Sequence, residues 1–369
     1  MSATPKITSV PTAKDLFGAK TKQLARFCEE PEWSAYNPSI CYTEEHGYLV
    51  LLRSSNGWLR DHRPEWQTEL GEELTTPDSF EDPGQWYQSA YINSVLGTEK
   101  LFRNRMFIAK LNPATLTLGK IQEVDLTKAY ENFHVELFRG IEDGRLYHDG
   151  KNLRISATIY ESGKISVARV CNLTLDMSSG TPVAGDIEMF DSPEGEDTVE
   201  KNWMPIHKTS LIDPDSVDYD YIYNSGETFT IEGRKVNHIG GLELPVRGGS
   251  QLIGLDNGTM LAVIHQTVFA EFYRSANIAE PPIFRRKYIH RFMQYDSEGH
   301  ILRTTDMFNF INKSIEFAAG IALHDNKVLV TFGALDSSAH VASIPLKNIL
   351  SALRAPNVSV VSLPRGLKN

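Results

Sequence analysis

Short runs of Val, Ile, Leu, Tyr and Phe, broken at intervals by Asp-Gly, Asn-Gly and similar dipeptides, constrain this chain more than any other feature. Residues 145–160 read as strand, turn at Asp149-Gly150, strand, and residues 250–265 repeat the pattern around Asn257-Gly258. Residues 320–333 do the same around Asp325-Asn326. Asn-Gly and Asp-Gly suit tight hairpin turns because both central residues there need positive φ. Weaker copies occupy 39–53, with its turn at Glu45 to Gly47, and 288–303, with its turn between Asp296 and Gly299. A further apolar run lies at 220–223. Long helical periodicity is scarce, so the chain reads as all-β: a propeller, a sandwich or a barrel. The uneven repeat spacing, unlike that of regular WD-type arrays, favours a small propeller with long functional loops.

At 369 residues the chain is long enough for one large or two ordinary domains, and no linker-like stretch divides it. It is read as a single domain, 1–369, with an N-terminal extension (1–33), a lid or rim insertion (56–99) and a C-terminal tail (345–369). The insertion is polar and carries Trp58, Trp66 and Trp86. Residues 268–286 read as a second loop or short helix, and 345–354 as a short closing helix.

The formal net charge of -10 argues against a nucleic-acid partner, since backbone phosphates need a basic surface. It leaves room for a local cationic pocket. Three cysteines, Cys28, Cys41 and Cys171, form neither a disulfide framework nor a zinc pattern and read as buried small apolar side chains. The N-terminus has no signal-like apolar stretch, and no run approaches the ~20 residues of a membrane helix. The expectation is a cytoplasmic protein with no membrane partner. His134, His148, His207 and His238 show no metal-ligand spacing, so no metal is expected. Nucleotide-binding glycine loops and the Gly-x-Ser-x-Gly elbow are absent from the sequence. No cofactor is expected.

Four stretches carry candidate chemistry. Glu142-Asp143-Gly144-Arg145 places two carboxylates beside an Arg just before a strong hairpin. In an extended strand one carboxylate would face the funnel and the other away, with Asp143 and Arg145 on one face. The bland alternative is a solvated turn with a surface ion pair. Lys201-Asn202-Trp203 supplies a charge, an amide and a stacking face, suited to a sugar or an anion, or else a strand start with a buried Trp. Arg247-Gly248-Gly249-Ser250 lets the backbone approach something closely, and the hairpin that follows ends at His265, an anion ligand or a core histidine. Asp336 follows the apolar run Phe332-Gly333-Ala334-Leu335, where it would hold sugar hydroxyls or cap a turn.

Taken in order, these stretches resemble glycoside hydrolase family 130, the β-mannoside phosphorylases and their hydrolytic relatives. Asn37-Pro38-Ser39-Ile40 with Leu51-Leu52-Arg53 is similar to the family's first-blade motif, and Gly140 to Arg145 to its Gly-x-Glu-Asp-Pro-Arg signature. Residues 247–265 resemble the segment ending in Tyr-His-Gly, and 332–336 resemble Tyr-Tyr-Gly-Ala-Ala-Asp. Gly144 stands where the family has Pro, His265 follows Ile264 instead of Tyr, and Gln266 replaces Gly. The stretch around Lys201 looks more like the related propeller-type β-mannosyltransferases. The resemblance implies a five-bladed β-propeller with loop or short-helix insertions, and an enzyme performing inverting glycosyl transfer on a mannoside-type carbohydrate. Asp143 would be its general acid/base. Asn37, Arg53, Arg145, Asn202, Trp203 and Asp336 would bind substrate, and Arg169, Lys201, Arg247 and His265 would bind phosphate. Inorganic phosphate, a sugar phosphate or a nucleotide sugar would be the co-substrate. An inverting hydrolase would need a second carboxylate, for which Glu136, Glu200 and Glu316 are candidates. A non-catalytic sugar-binding propeller would use the insertion's tryptophans as its surface. A homo-oligomer is permitted, not demanded.

Overall fold

The computed structural model describes residues 10–24, 34–55, 104–131, 137–161, 168–190, 201–223, 227–230, 235–238, 246–273, 283–313, 315–336 and 338–356. These residues form five antiparallel sheets of four or five strands in a propeller-like arrangement. The first sheet runs Ser34–Thr43, Gly47–Ser55, Asn104–Asn112, Thr117–Glu123, and the second starts with Leu137–His148, Leu153–Glu161 and Ala168–Asp176. The third opens on Met204–Pro205 and the fourth on Arg247–Gly248, with the long hairpin Met260–Tyr273 and Ile283–Tyr295 behind it. The fifth contains Glu316–His324, Lys327–Ala334 and Ser338–Pro345, and its outermost strand is Lys20–Gln23 from the other end of the chain. Part of the expected N-terminal extension is therefore a structural strand, in register Lys20 opposite Ser343. A Thr12-capped helical turn, Ala13–Phe17, precedes it and seats Phe17 edge-on against Phe292 and Phe308.

Alternation explains why the apolar runs are nearly continuous. Successive strand side chains point to opposite faces, and here both faces are buried. Leu49 and Leu51 pack with Ile141, Ile155 and Ile159 of the second sheet, whereas Val50 and Leu52 pack with Leu329 and Val341 of the fifth. Likewise Met260, Ala262 and Ile264 face the third sheet, and Leu261 and Val263 face the fifth. Tyr147 and Val170 meet Trp203 and Tyr221 between the second and third. Each sheet thus packs on the next, and the fifth returns to the first.

Residues 268–286 are not a loop or short helix: those described lie on the two longest strands, paired Val268 opposite Lys287 through Tyr273 opposite Ile283. Residues 346–352 are helical. The tryptophans at 58, 66 and 86 lie outside the described residues. Cys41 and Cys171 are buried free thiols, and burial pushes both up in pKa; Cys28 lies outside the described residues. Among the described residues no helix is long and apolar enough to cross a membrane.

Candidate active site

The inner strands of the first, second and fifth sheets each carry an irregularity at one level: between Tyr36 and Ser39, between Glu142 and Arg145, and between Ala318 and Gly320. A bulge bends a strand and re-aims its side chains. Asn37 and Asp143 sit in two of these bulges with φ of 46° and 49°, a left-handed conformation that non-glycine residues seldom adopt. Asp336 (φ 48°), in the turn after Lys327–Ala334, and Asn202 (φ 65°), just ahead of Met204–Pro205, share it. Strained residues that converge from separate elements mark functional sites.

Arg53, 4% exposed, organises the cluster. It donates from Nη1 to Asp143 Oδ1 at 2.7 Å and from Nε to Asn104 Oδ1 at 2.9 Å, and its Nη2 lies 3.2 Å from Glu142 Oε1. Its guanidinium also lies over the Tyr36 ring, 4.9 Å from the centroid. The expected split of Glu142 and Asp143 to opposite faces does not occur, because the bulge at Asp143 turns both carboxyls toward Arg53. Asn37 Nδ2 donates to Asp143 Oδ1 at 2.9 Å. The Asn37 amide also favours the ionised form of Asp336. Gly333 lets Asn37 come this close, since a Cβ there would stand 2.0 Å from Asn37 Oδ1. Burial pushes the Asp143 carboxyl up, but the Arg53 charge and the bonds from Asn37 and Arg53, with Arg145 behind, hold it below the usual carboxylate range. For Asp336 burial wins: despite Arg53, its carboxyl is pushed up to about 7, with Asp143 and Glu142 adding to the rise.

Arg145 is a tie between sheets. Nε donates to Gly249 O at 2.5 Å, Nη2 to Asn202 Oδ1 at 3.0 Å and Nη1 to Asp143 O at 3.3 Å. Burial lowers its pKa to about 10. Phe317 lies against its guanidinium at 5.4 Å and against His265 at 5.3 Å. His265 lies opposite Arg247 in mid-strand, not at a strand end, and is 2% exposed. Burial holds its imidazole well below the ordinary value, and His290, Arg145, Arg247 and Lys201 add to the effect. His265 Nδ1 is buried and has no hydrogen-bond partner among the described residues.

Two expectations are corrected. Trp203 is 1% exposed, stacked on Phe190 at 5.8 Å and tilted against Tyr221 at 5.9 Å, so its faces belong to the core and not to a sugar. Gly248 and Gly249 serve close approach to protein backbone, not ligand: their Cβ positions lie 1.9 Å from Asn202 O and 2.3 Å from Val263 O. Arg169 is buried two strands out from the inner strand, opposite Ile159. Glu316, a candidate base, accepts from the backbone N–H groups of Phe310, Ile311 and Lys313 and is wholly buried. That carboxylate holds a loop and faces no water. Glu136 and Glu200 lie outside the described residues.

Gln251 gives no sequence signal. It donates from Nε2 to Ile40 O and Ile321 O and accepts from Ile321 N, pinning the first, fourth and fifth sheets together at the axis. Beyond it, a cavity of about 870 Å³ opens at the far ends of the inner strands, lined by Tyr42, His46, His148, His207 and Leu323. Tyr42 is five residues beyond Asn37 on its strand, roughly 16 Å away, so this cavity is separate from the Asp143 cluster.

No protein-family model and no curated protein matches the sequence. Solved structures do. The chain is similar to a β-1,2-mannobiose phosphorylase from Listeria innocua, at 15% identity and a TM-score of 0.50, covering 89% of this chain and 94% of that one. It is similar to a putative glycoside hydrolase from Bacteroides ovatus at 14% identity and a TM-score of 0.51, with 87% and 88% covered. A putative glycoside hydrolase from Parabacteroides distasonis aligns at 14% identity and a TM-score of 0.50 over 84% and 86%. At such identities the likeness is one of fold.

Proposed function

We propose that the chain is a five-bladed propeller enzyme that performs inverting glycosyl transfer on a mannoside-type substrate, with Asp143 as its general acid/base. The observation that carries this reading is the convergence on Asp143 of a strained backbone, a buried guanidinium and an amide donor, with Arg145 bonded to the Asp143 carbonyl and the charges of Arg247 and Lys201 acting at His265. Asn37, Arg53 and Asp336 hold the sugar. Lys201, Arg247 and His265 hold phosphate or a diphosphate, with Arg169 as a further candidate cation. Arg145 and Asn202 position the Asp143 and Gly249 segments.

Transfer from an activated donor runs as follows. The acceptor hydroxyl oxygen attacks the anomeric carbon while the carbon–oxygen bond to phosphate breaks on the opposite face. The phosphate leaves with the bonding electron pair, and the hydroxyl proton passes to the Asp143 carboxylate. Phosphorolysis is the reverse, with Asp143 giving its proton to the leaving oxygen. A carboxyl held below its ordinary range is ionised at neutral pH, which is the state the transfer direction needs. Phosphate takes the place of a second carboxylate, so its site must be cationic.

The test is incubation with β-mannosides, sugar phosphates and nucleotide sugars, with and without inorganic phosphate, for the wild type and Asp143→Asn. Sugar 1-phosphate formation, or transfer from an activated donor, should fall by about 10²–10⁴-fold in the variant. Free sugar formed without phosphate would replace this reading by an inverting hydrolase. No turnover from any donor would favour a sugar-binding propeller.

A further inference from the structure

The cavity at the mouth opposite the Asp143 cluster is held in shape by the protein's own hydrogen bonds. His207 Nδ1 accepts from His148 N at 3.0 Å, and its Nε2 lies 2.9 Å from Tyr42 O. Ser210 Oγ donates to His207 O at 2.6 Å and accepts from Gly254 N at 2.8 Å. Tyr48 Oη donates to Leu323 O at 2.7 Å. These bonds link segments of all five sheets around the opening. Its volume of about 870 Å³ falls in the range of roughly 300–1,000 Å³ that small-molecule sites occupy.

The lining also carries polar groups that the protein itself leaves unused. His148 Nδ1 accepts from Gly150 N at 3.1 Å, which places the ring proton on Nε2, and that N–H has no partner among the described residues. Neither the Asn152 amide nor the Glu44 carboxylate has one there. Donors and an acceptor therefore line one space. An ammonium group only donates and a phosphate dianion only accepts, whereas a hydroxyl does both. Glu44, Glu45 and Asp176 against Lys151 leave the lining with more negative than positive charge, which repels an anionic ligand. The Tyr42 ring, 42% exposed and set 4.9 Å from that of Tyr48, adds an apolar face next to the polar groups. One ligand class meets all of these conditions: an uncharged ring with hydroxyls at its edge and C–H groups on its face. We propose that this cavity is a carbohydrate-binding site separate from the Asp143 cluster, in which a neutral sugar stacks on Tyr42 and its hydroxyls bridge His148 Nε2–H, the Asn152 amide and Glu44. The inference does not rest on the role given to Asp143.

The test is isothermal titration of the full-length protein with mannotriose, maltotriose and cellotriose, and with inorganic phosphate and spermidine as charged probes. Binding of at least one trisaccharide below about 10 mM is the expected result. Tyr42→Ala and Asn152→Ala should each weaken that binding at least about tenfold. Both side chains are partly exposed, and an unchanged melting temperature would show that the variants fold. Asp143→Asn should leave the affinity as it is. No trisaccharide binding, or undiminished affinity in either far-mouth variant, would overturn the proposal. So would a charged probe whose binding depends on Tyr42. Binding lost in Asp143→Asn and kept in Tyr42→Ala would place the sugar in the other site, which overturns this inference and leaves the proposed function standing.

Discussion

At the residue scale, Arg53 decides the protonation of its neighbours. Arg53→Ala would leave Glu142 and Asp143 buried with no guanidinium between them, a change that costs roughly 3–5 kcal/mol when one partner of a buried pair is removed. It would also reverse the direction of the Asp143 shift, because burial, now opposed only by Asn37 and Arg145, raises the carboxyl. In the wild type the lowered value means that Asp143 adds stability above its unfolded-state value, and this is lost as pH falls through the folded one. The expected outcome is a urea midpoint well below that of the wild type, and a transfer rate whose acid limb moves toward neutral pH. Arg53→Lys keeps the charge but not the fork that reaches two carboxyls and Asn104, and should fall between the two. Asn37, Arg53, Asp143 and Asp336 were legible in the sequence because each stands in a short motif. The pairing of Glu142 with Asp143 on one guanidinium was not, because Asp-Gly serves as a hairpin turn at 149–150 and as a bulge at 143–144. Nothing local distinguishes the two.

At the scale of elements, hairpins were the legible part, since turn dipeptides and alternation are local signals. The strand Lys20–Gln23 was not legible: all four side chains are exposed and the sequence has no β pattern. Its place is set by backbone pairing with Ser338–Pro345 and by Leu24, 1% exposed, whose N–H reaches Ala339 O at 2.9 Å. Two different sensitivities should therefore appear in thermal melts. Single substitutions at Lys20 or Lys22 should change stability by no more than about 0.5 kcal/mol. Leu24→Ala should cost about 2–4 kcal/mol through the cavity it leaves beside Val341 and Leu52. Equal effects at the two kinds of position would mean that the strand does not close the fifth sheet. On the strands Met260–Tyr273 and Ile283–Tyr295 the converse holds: Arg285-Arg286-Lys287 breaks the apolar pattern while the backbone pairing continues.

At the scale of the whole molecule, cyclic packing between sheets buries imidazoles that then cannot take up a proton. His207, at the mouth opposite the Asp143 cluster, accepts from His148 N at its Nδ1, which leaves Nε2–H to donate to Tyr42 O at 2.9 Å, so the native state holds one neutral tautomer. Burial lowers His207 to about 4, despite the Tyr42 carbonyl. It lowers His290 to about 3 and His340 to about 4. For each of these the unfolded chain binds a proton at higher pH than the folded one. Their contribution is fully present above the unfolded value of about 6.5 and is lost as pH falls toward the folded values. Asp336 works the other way: raised to about 7, it is a cost at neutral pH that lessens in acid. With His265, also held well below its ordinary value by burial, these imidazoles outnumber the two buried carboxyls that shift upward, Asp336 and Glu316. The melting temperature should therefore fall as pH is lowered from about 6.5 to 5, a range in which aspartates with ordinary or lowered values remain largely ionised. His207→Gln, which keeps an acceptor and a donor near His148 and Tyr42 but cannot titrate, should flatten part of that slope and leave the rest to His265, His290 and His340. A variant slope identical to that of the wild type would show that His207 takes up its proton without unfolding, and that the far mouth is open enough to solvate an imidazolium.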